Sequence, residues 1–174
     1  GIEYVREHAG VRGTLLENIN IDERVAEAAS SIIGSIAQSI VIDSEQNVEA
    51  TIEELLNSNS SAQVMMLENE KENSVLEAPN GTTSLINFIS SPNEKVKTIL
   101  GNYLSNVVFC EGDWKTALRI ALENPKFVVI TNAGDRFGSD MPWRLGKSKT
   151  VAVTKEKVEH AHASADVAKE KLNS

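Results

Sequence analysis

The chain has 174 residues with 41% hydrophobic and 5% aromatic content, one cysteine and a formal net charge of −8. This length allows one domain, or two small lobes that share a core built mainly from Ile, Val, Leu and Ala. The acidic balance argues against a general nucleic-acid binder, and the lone Cys110 excludes an internal disulfide and any multi-cysteine metal site.

The sequence shows no sign of a membrane location. No apolar run approaches the roughly 18 residues that span a bilayer, and no signal peptide is visible at the N-terminus. We therefore expect a cytoplasmic protein that makes no membrane contact. Cys110 ends the apolar run Asn106–Cys110, which favours a buried, inert thiol over a nucleophile.

Both ends of the chain carry apolar residues at helical spacing. Ile2, Val5 and Ala9 are spaced three and then four apart. The C-terminal set repeats these spacings and consists of Val158, Ala161, Ala165, Ala168 and Leu172. Such heptad spacing is typical of coiled coils. We predict coiled-coil stubs over residues 1–9 and 151–174 that pair antiparallel; an ordinary amphipathic helix is the alternative for the C-terminal one.

Strand and helix patterns alternate between these ends in two series. The first series predicts, in chain order, a strand at Val11–Asn18, a helix at Glu23–Ile33 capped by Asp22, a strand at Ala37–Asp43, a helix at Glu45–Leu56 capped by Ser44, and a strand at Ala62–Leu67. The second predicts a helix at Glu94–Leu104, a strand at Asn106–Cys110, a helix at Trp114–Leu122 capped by Asp113, a strand from Phe127, and a strand at Thr150–Thr154. Ser84–Ile89 fits either a strand or a helical turn.

The charged segment Glu68–Gly81, which contains Pro79-Asn80-Gly81, separates the two series and predicts a linker. Alternating strands and helices indicate an α/β protein. Because both series share a helix–strand–helix–strand order, we predict a pseudo-duplicated, two-lobed domain over residues 10–150, with lobe I at about 10–74 and lobe II at about 75–150.

Common catalytic signatures are absent. The sequence has no phosphate-binding loop, no nucleophile elbow and no H-E-x-x-H pair. His160 and His162 lie two apart on a predicted helix, so they point away from each other and cannot share a metal. Asp135 and Asp140 could be paired acids, but turn formation is the commoner role of Asp in such a segment. We predict no catalytic residue, no cofactor and no metal site.

The stretch Phe127–Lys149 combines a strand, a turn at Asn132–Asp135 and a glycine-rich run with aromatics and no helical periodicity. Glycines allow close backbone approach, and aromatics are common in contact surfaces. We predict a dimer contact formed by Gly134, Phe137, Gly138, Met141, Trp143 and Gly146. An exposed strand edge there could pair with its twin in a second copy. The alternative is a small-molecule-binding α/β domain with its ligand at the Gly134–Gly138 loop.

Basic residues cluster where this stretch meets the C-terminal stub. They are Arg136, Arg144, Lys147, Lys149, Lys155 and Lys157. Against the acidic whole, they form a local cationic patch. Either the patch is ordinary solvated surface, or it makes a weak, salt-sensitive DNA contact without sequence specificity.

Three blocks of sequence follow one another in a characteristic order. They are Gly10–Glu17 (GVRGTLLE); Ile21–Arg24 (IDER) with the alanines that follow and Ile40–Asp43 (IVID); and Ile99–Ala121. In this order they resemble the opening, the next block and a later block of the hinge domain of structural maintenance of chromosomes (SMC) proteins, of bacterial type. The likeness spans roughly residues 10–150. The family's paired-glycine pattern is replaced here by the single glycines Gly134, Gly138 and Gly146.

The resemblance implies a toroidal homodimer of two-lobed hinges whose sheets are extended across the contact. It implies no catalysis in this segment, because ATP binding in the family belongs to a head domain at the far end of a coiled-coil arm. It also implies a role in chromosome condensation and segregation at the cytoplasmic nucleoid, with condensin-type accessory subunits that bind elsewhere on the full-length protein.

Overall fold

The computed structural model describes residues 11–42, 48–59, 61–67, 74–138 and 141–147. The first half contains β1 (Val11–Thr14), a 3₁₀ helix (Leu16–Asn18), β2 (Asn20–Ile21), a 3₁₀ turn (Glu23–Val25) that leads into α1 (Ala26–Ile33), β3 (Ile40–Ile42), α2 (Val48–Asn57) and β4 (Val64–Met66). The second half contains β5 (Thr82–Ser84), a 3₁₀ helix (Leu85–Phe88), β6 (Ile89–Ser90), α3 (Glu94–Tyr103), β7 (Val107–Cys110), α4 (Trp114–Glu123), β8 (Val128–Ile130) and β9 (Arg136–Phe137).

The two halves repeat one topology. The first sheet has the order β1-β3-β4, in which β1 is antiparallel and β4 parallel to β3. The second has the order β5-β7-β8-β9 and repeats that arrangement with β5, β7 and β8. The short strands β2 and β6 are equivalent and pair antiparallel with each other. The predicted pseudo-duplicated α/β fold is therefore confirmed, and β9 is the one strand without a counterpart among the described residues.

The inner faces of both sheets are buried in one central core. Side chains alternate along β7, so Val107 and Phe109 join this core while Val108 and Cys110 face α4. In β3, Val41 faces the central core and Ile40 and Ile42 face α2. The central cluster takes residues from both halves, so the lobes share a core. Cys110 is a buried free thiol, as predicted.

Local polar contacts set the helix starts where the sequence predicts them. The Asp22 carboxylate accepts from the backbone N–H of Arg24, and the Asp113 carboxylate accepts from that of Thr116. Hydrogen bonds from the Arg24 side chain and backbone lower the pKa of Asp22 to about 2. The backbone hydrogen bond of Thr116 likewise lowers the pKa of Asp113. Asn93, for which no capping role was predicted, caps α3 with its side-chain oxygen.

Several predicted boundaries differ from the structure. The strand predicted over Val11–Asn18 ends at Thr14, because the Thr14 backbone and hydroxyl donate to the Glu17 carboxylate and close a turn. The strand predicted from Ala37 begins at Ile40, after a turn. Ser84–Ile89 contains both alternatives, a 3₁₀ helix and the start of β6. The Ser44 cap, the strand at Thr150–Thr154 and both coiled-coil stubs lie outside the described residues.

We expect Leu16→Ala to destabilise both halves together. Leu16 is fully buried in the central core, and its truncation should lower the free energy of unfolding by about 2–5 kcal/mol. Both tryptophans, Trp114 and Trp143, lie in the second half, so their fluorescence reports on unfolding of the half that is not mutated. Urea midpoints from fluorescence and from far-UV circular dichroism should fall by the same amount.

The matched control is Val75→Ala at a side chain that is 43% exposed, where the change should stay within about 0.5 kcal/mol. A fluorescence midpoint that stays at the wild-type value in Leu16→Ala would contradict the shared core.

Candidate functional site

The turn after β8 is closed by Thr131 and Asp135, both of them buried. The Thr131 hydroxyl donates to Asp135 Oδ2 at 3.0 Å, and its backbone N–H donates to the Asp135 carbonyl at 3.0 Å. The other carboxylate oxygen, Oδ1, accepts from the Gly146 N–H at 2.9 Å. Asp135 is therefore a turn-forming residue that also holds the returning chain. Asp140, its possible acid partner, lies outside the described residues.

Gly134 is required where the chain crosses itself. Its φ is +93°, and an added Cβ would lie 2.5 Å from the Gly146 carbonyl oxygen. Gly138 is also tightly packed, since a Cβ there would meet the Val128 side chain at 2.8 Å. Gly146 has a φ of +80° with open space around it. Two of the three predicted glycines thus serve contacts inside the chain.

Two side chains fasten this loop to α1 in the other half. The Asn132 amide oxygen accepts from the Ala28 N–H at 3.1 Å, and its NH₂ group donates to the Arg24 carbonyl. The Arg136 guanidinium donates to the Ser31 carbonyl through Nη1 and to the Pro142 carbonyl through Nη2 at 3.3 Å. These bonds satisfy backbone groups at both ends of α1 and tie the loop to it.

The segment Met141–Lys147 forms the outer border of the second sheet. Arg144 exchanges two backbone hydrogen bonds with Arg136, at 2.8 and 3.0 Å. Arg144 thus occupies the outer edge of β9. The exposed backbone edge of this stretch belongs to residues 143–145, and its pairing with a second copy stays a prediction.

Apolar side chains on this border divide into buried and exposed ones. Phe137 is 2% exposed, so it is a core residue rather than a surface anchor. Trp143 packs edge-on against Phe137 at 5.4 Å and donates from Nε1 to the Gly138 carbonyl, yet remains 51% exposed. Leu145 is 74% exposed and was missed, because a single Leu between Arg and Gly shows no pattern. Met141 packs against the central core.

An open cleft of about 560 Å³ lies beside Met141. Its other lining residues are Ile32, Tyr103, Asn106, Val107, Pro125, Lys126 and Val128. None of them belongs to the Gly134–Gly138 loop, where the alternative hypothesis puts a small ligand, and Gly134 itself is packed against Gly146. Within the described ranges, no group of three His, Cys, Asp or Glu side chains could hold a metal. None of the described helices is long and apolar enough to span a membrane.

The predicted cationic patch is only partly described. Lys147 is exposed and Arg144 is half-buried. The Arg136 guanidinium is engaged by two carbonyls and its Nε is buried, so Arg136 acts as an internal clamp rather than a surface cation. Lys149, Lys155 and Lys157 lie outside the described residues.

We expect Gly134→Ala to destabilise the chain more than Gly146→Ala. Both substitutions put a side chain at positive φ, which costs about 1–2 kcal/mol, but only the first also forces a Cβ into backbone. The clash should add a further ~1–3 kcal/mol to the loss in free energy of unfolding. Urea denaturation of the two variants measures the difference, and equal losses would contradict the close crossing at Gly134.

Comparison with known proteins identifies the fold. Residues 8–121 match the family model described as "SMC proteins Flexible Hinge Domain". No curated protein sequence matches the chain significantly. The family match confirms the resemblance drawn from the motifs, and with it the expectation of a hinge segment rather than an enzyme. The bacterial type stays a prediction.

Solved hinge structures share the fold at low sequence identity. The asymmetric dimer of the Geobacillus stearothermophilus SMC hinge domain has a TM-score of 0.70 and 20% identity, covering 94% of this chain and 70% of that one. The Pyrococcus furiosus SMC hinge domain has a TM-score of 0.69 and 20% identity, covering 91% of this chain and 86% of that one. The Pyrococcus furiosus hinge domain with an extended coiled coil has a TM-score of 0.69 and 21% identity, covering 99% of this chain and 63% of that one. The chain belongs to the family of SMC flexible hinge domains.

Proposed function

We propose that this chain is the homodimerisation hinge of an SMC protein, and that two copies join by extending their sheets. Family membership and the dimeric hinge from Geobacillus stearothermophilus support the proposal. The observation that carries it is a difference between the two otherwise equivalent sheets. The second sheet continues past β8 with β9 and residues 143–145, whereas no described strand lies beyond the equivalent strand β4.

The open edge of β4 offers backbone groups for an added strand. Gln63 and Leu67 bond to β3 through their carbonyl and N–H, so the main chain of Met65 also faces β3 and that of Val64 and Met66 faces outward. Val64 is 38% exposed. Unpaired strand edges are templates for pairing with another chain.

The border of the second sheet offers the complementary edge. Arg144 is bonded to β9, so the main chains of Trp143 and Leu145 face away from it. In the proposed dimer, residues 143–145 of one copy pair with β4 of the other. A two-fold axis then generates a second, identical contact and closes a ring. The second contact forms within the complex already joined by the first, which strengthens the dimer well beyond one contact alone.

The longer protein is, in this proposal, an ATPase that organises and segregates chromosomes, with its catalytic head and any condensin-type subunits at a distance from the hinge. Such a protein works at the nucleoid in the cytoplasm. The proposal also includes a weak, non-specific DNA contact near the junction with the predicted C-terminal coiled-coil stub. Among the described residues, Arg144 and the exposed Lys147 would make this contact.

We expect Trp143→Glu to weaken the dimer, because it puts a charge on an exposed aromatic at the centre of each contact. Sedimentation equilibrium at micromolar concentrations should give a dimer for the wild type and a dissociation constant raised about tenfold or more for the variant. Val75→Glu, at an exposed apolar residue whose neighbour Leu76 bonds to the Ser105 carbonyl before β7, is the control and should remain dimeric. A monomeric wild type would refute the proposal.

Val64→Pro should also weaken the dimer, through the loss of one backbone donor rather than of a side chain. Proline is tolerated on an edge strand whose N–H faces outward, so the monomer should keep its fold. Val64→Thr keeps the N–H and the preference for strand structure, and should dimerise like the wild type. The same sedimentation assay compares the two. Equal dissociation constants for the Pro and Thr variants would mean that β4 is not the docking edge.

A further inference from the structure

Strand β4 points the side chains of its outward-facing residues to the face of the sheet that α2 covers. Met66 lies opposite Ile42 of β3, and both pack in the apolar cluster under α2. Val64 is two residues away in the same strand, so its side chain lies on the same face. Met65, between them, packs against the central core on the other face.

The border at residues 143–145 has the same relation to α4. Arg144 lies opposite Arg136 of β9. The adjacent pair is Trp143 and Phe137, whose rings meet edge-on at 5.4 Å. Phe137 packs in the cluster under α4, and residues directly opposite each other share a face, so Trp143 lies on the α4 face. Leu145 is two residues from Trp143 and shares that face, while Arg144 points to the other one.

An antiparallel contact would bring these two sets of side chains together. In antiparallel strands, residues whose main chains face each other lie directly opposite and exchange two hydrogen bonds. Their side chains then share a face of the joined sheet. Val64 and Met66 of one copy would therefore lie beside Trp143 and Leu145 of the other, with α2 and the other copy's α4 on the same face.

A parallel contact would separate the same side chains. The parallel pair of β3 and β4 shows the rule: the main chain of Ile40 bonds to β4, but the main chain of Val64, directly opposite Ile40, faces outward. Applied to the dimer, this rule would put Val64 opposite Arg144, whose main chain faces β9. The apolar side chains of the two edges would then lie on opposite faces of the joined sheet.

Burial of apolar surface favours the antiparallel contact. Leu145 is 74% exposed, Trp143 51% and Val64 38%. Bringing these side chains together removes apolar surface from water on both copies, whereas a parallel contact would put the Arg144 side chain next to Val64. The helices leave room for this cluster, because β9 and residues 143–145 hold α4 and the other copy's α2 roughly 19 Å apart, about four strand spacings.

We infer that residues 143–145 of one copy run antiparallel to β4 of the other. The opposite pairs are Leu145 with Val64, Arg144 with Met65, and Trp143 with Met66. This inference rests on the proposed dimer and assigns its strand direction and register. The register uses both edges fully, since a shift by two residues would leave one outward-facing residue of each edge unpaired. It also places the Trp143 ring beside a methionine sulfur, a favourable contact.

Cysteine pairs at four positions distinguish the two strand directions. Val64→Cys with Leu145→Cys, and Met65→Cys with Arg144→Cys, join residues that are opposite in the antiparallel register. Their Cα atoms would lie about 4.5–5.5 Å apart, within the range of a disulfide. The matched controls cross the same positions: Val64→Cys with Arg144→Cys, and Met65→Cys with Leu145→Cys, which are opposite only in a parallel contact. The native Cys110 is 1% exposed, so the wild type should not cross-link.

Oxidation with copper phenanthroline, followed by non-reducing electrophoresis, gives the readout. The first two variants should become covalent dimers, and the crossed variants should remain single chains. Sedimentation equilibrium of the reduced proteins measures dimerisation, and circular dichroism checks the fold. Cross-linking of the crossed variants, or of none of the four in a protein that dimerises, would overturn the antiparallel register and leave the dimer standing. A monomeric wild type would overturn both.

Discussion

The fold depends on burying the inner faces of two small sheets in one shared core. One covering helix cannot shield both faces of a sheet, and the central core covers the remaining face with residues from both halves, including those of α1 and α3. The repeat of one topology makes this burial nearly symmetric, with the β2–β6 pair at the join. The two halves therefore share one core even though the strand–helix–strand connections stay within each half.

The last described loop departs from that symmetry, and it does so with polar groups. Asn132 and Arg136 reach across to carbonyls and an N–H of α1, while Asp135 and Gly134 hold the returning chain. Because these donors and acceptors are partly buried, losing one would leave its partner unsatisfied. The exposed border at Trp143 and Leu145 is therefore held in place by contacts with the first half of the molecule as well as the second. A contact made there is supported by both lobes.

Sequence patterns located most of the helices and longer strands, because helical spacing and capping residues such as Asp22 and Asp113 are local signals. They did not locate β2 or β6, since two-residue strands have no periodicity. The role of Asn132 in joining the two halves could not be predicted from the sequence, because its hydrogen-bond partner Ala28 is 104 residues away. Phe137 was taken for a surface residue because a glycine-rich run hides which side chains turn inward. Arg136 was grouped with the surface cations for the same reason, whereas contacts across the fold decide its role.

The flanking chain meets the described structure at Val11, in β1, and at Lys147, two residues beyond Leu145. β1 is an edge strand of the first sheet, and residues 143–145 border the second. If the predicted coiled-coil stubs extend into arms, tension along them would act on edge strands. On the C-terminal side it would be borne first by the Asp135–Gly146 bond and then by the paired backbones of Arg136 and Arg144. These few bonds would break one after another when peeled, so mechanical load would reach the proposed dimer contact at residues 143–145 before it reaches the core.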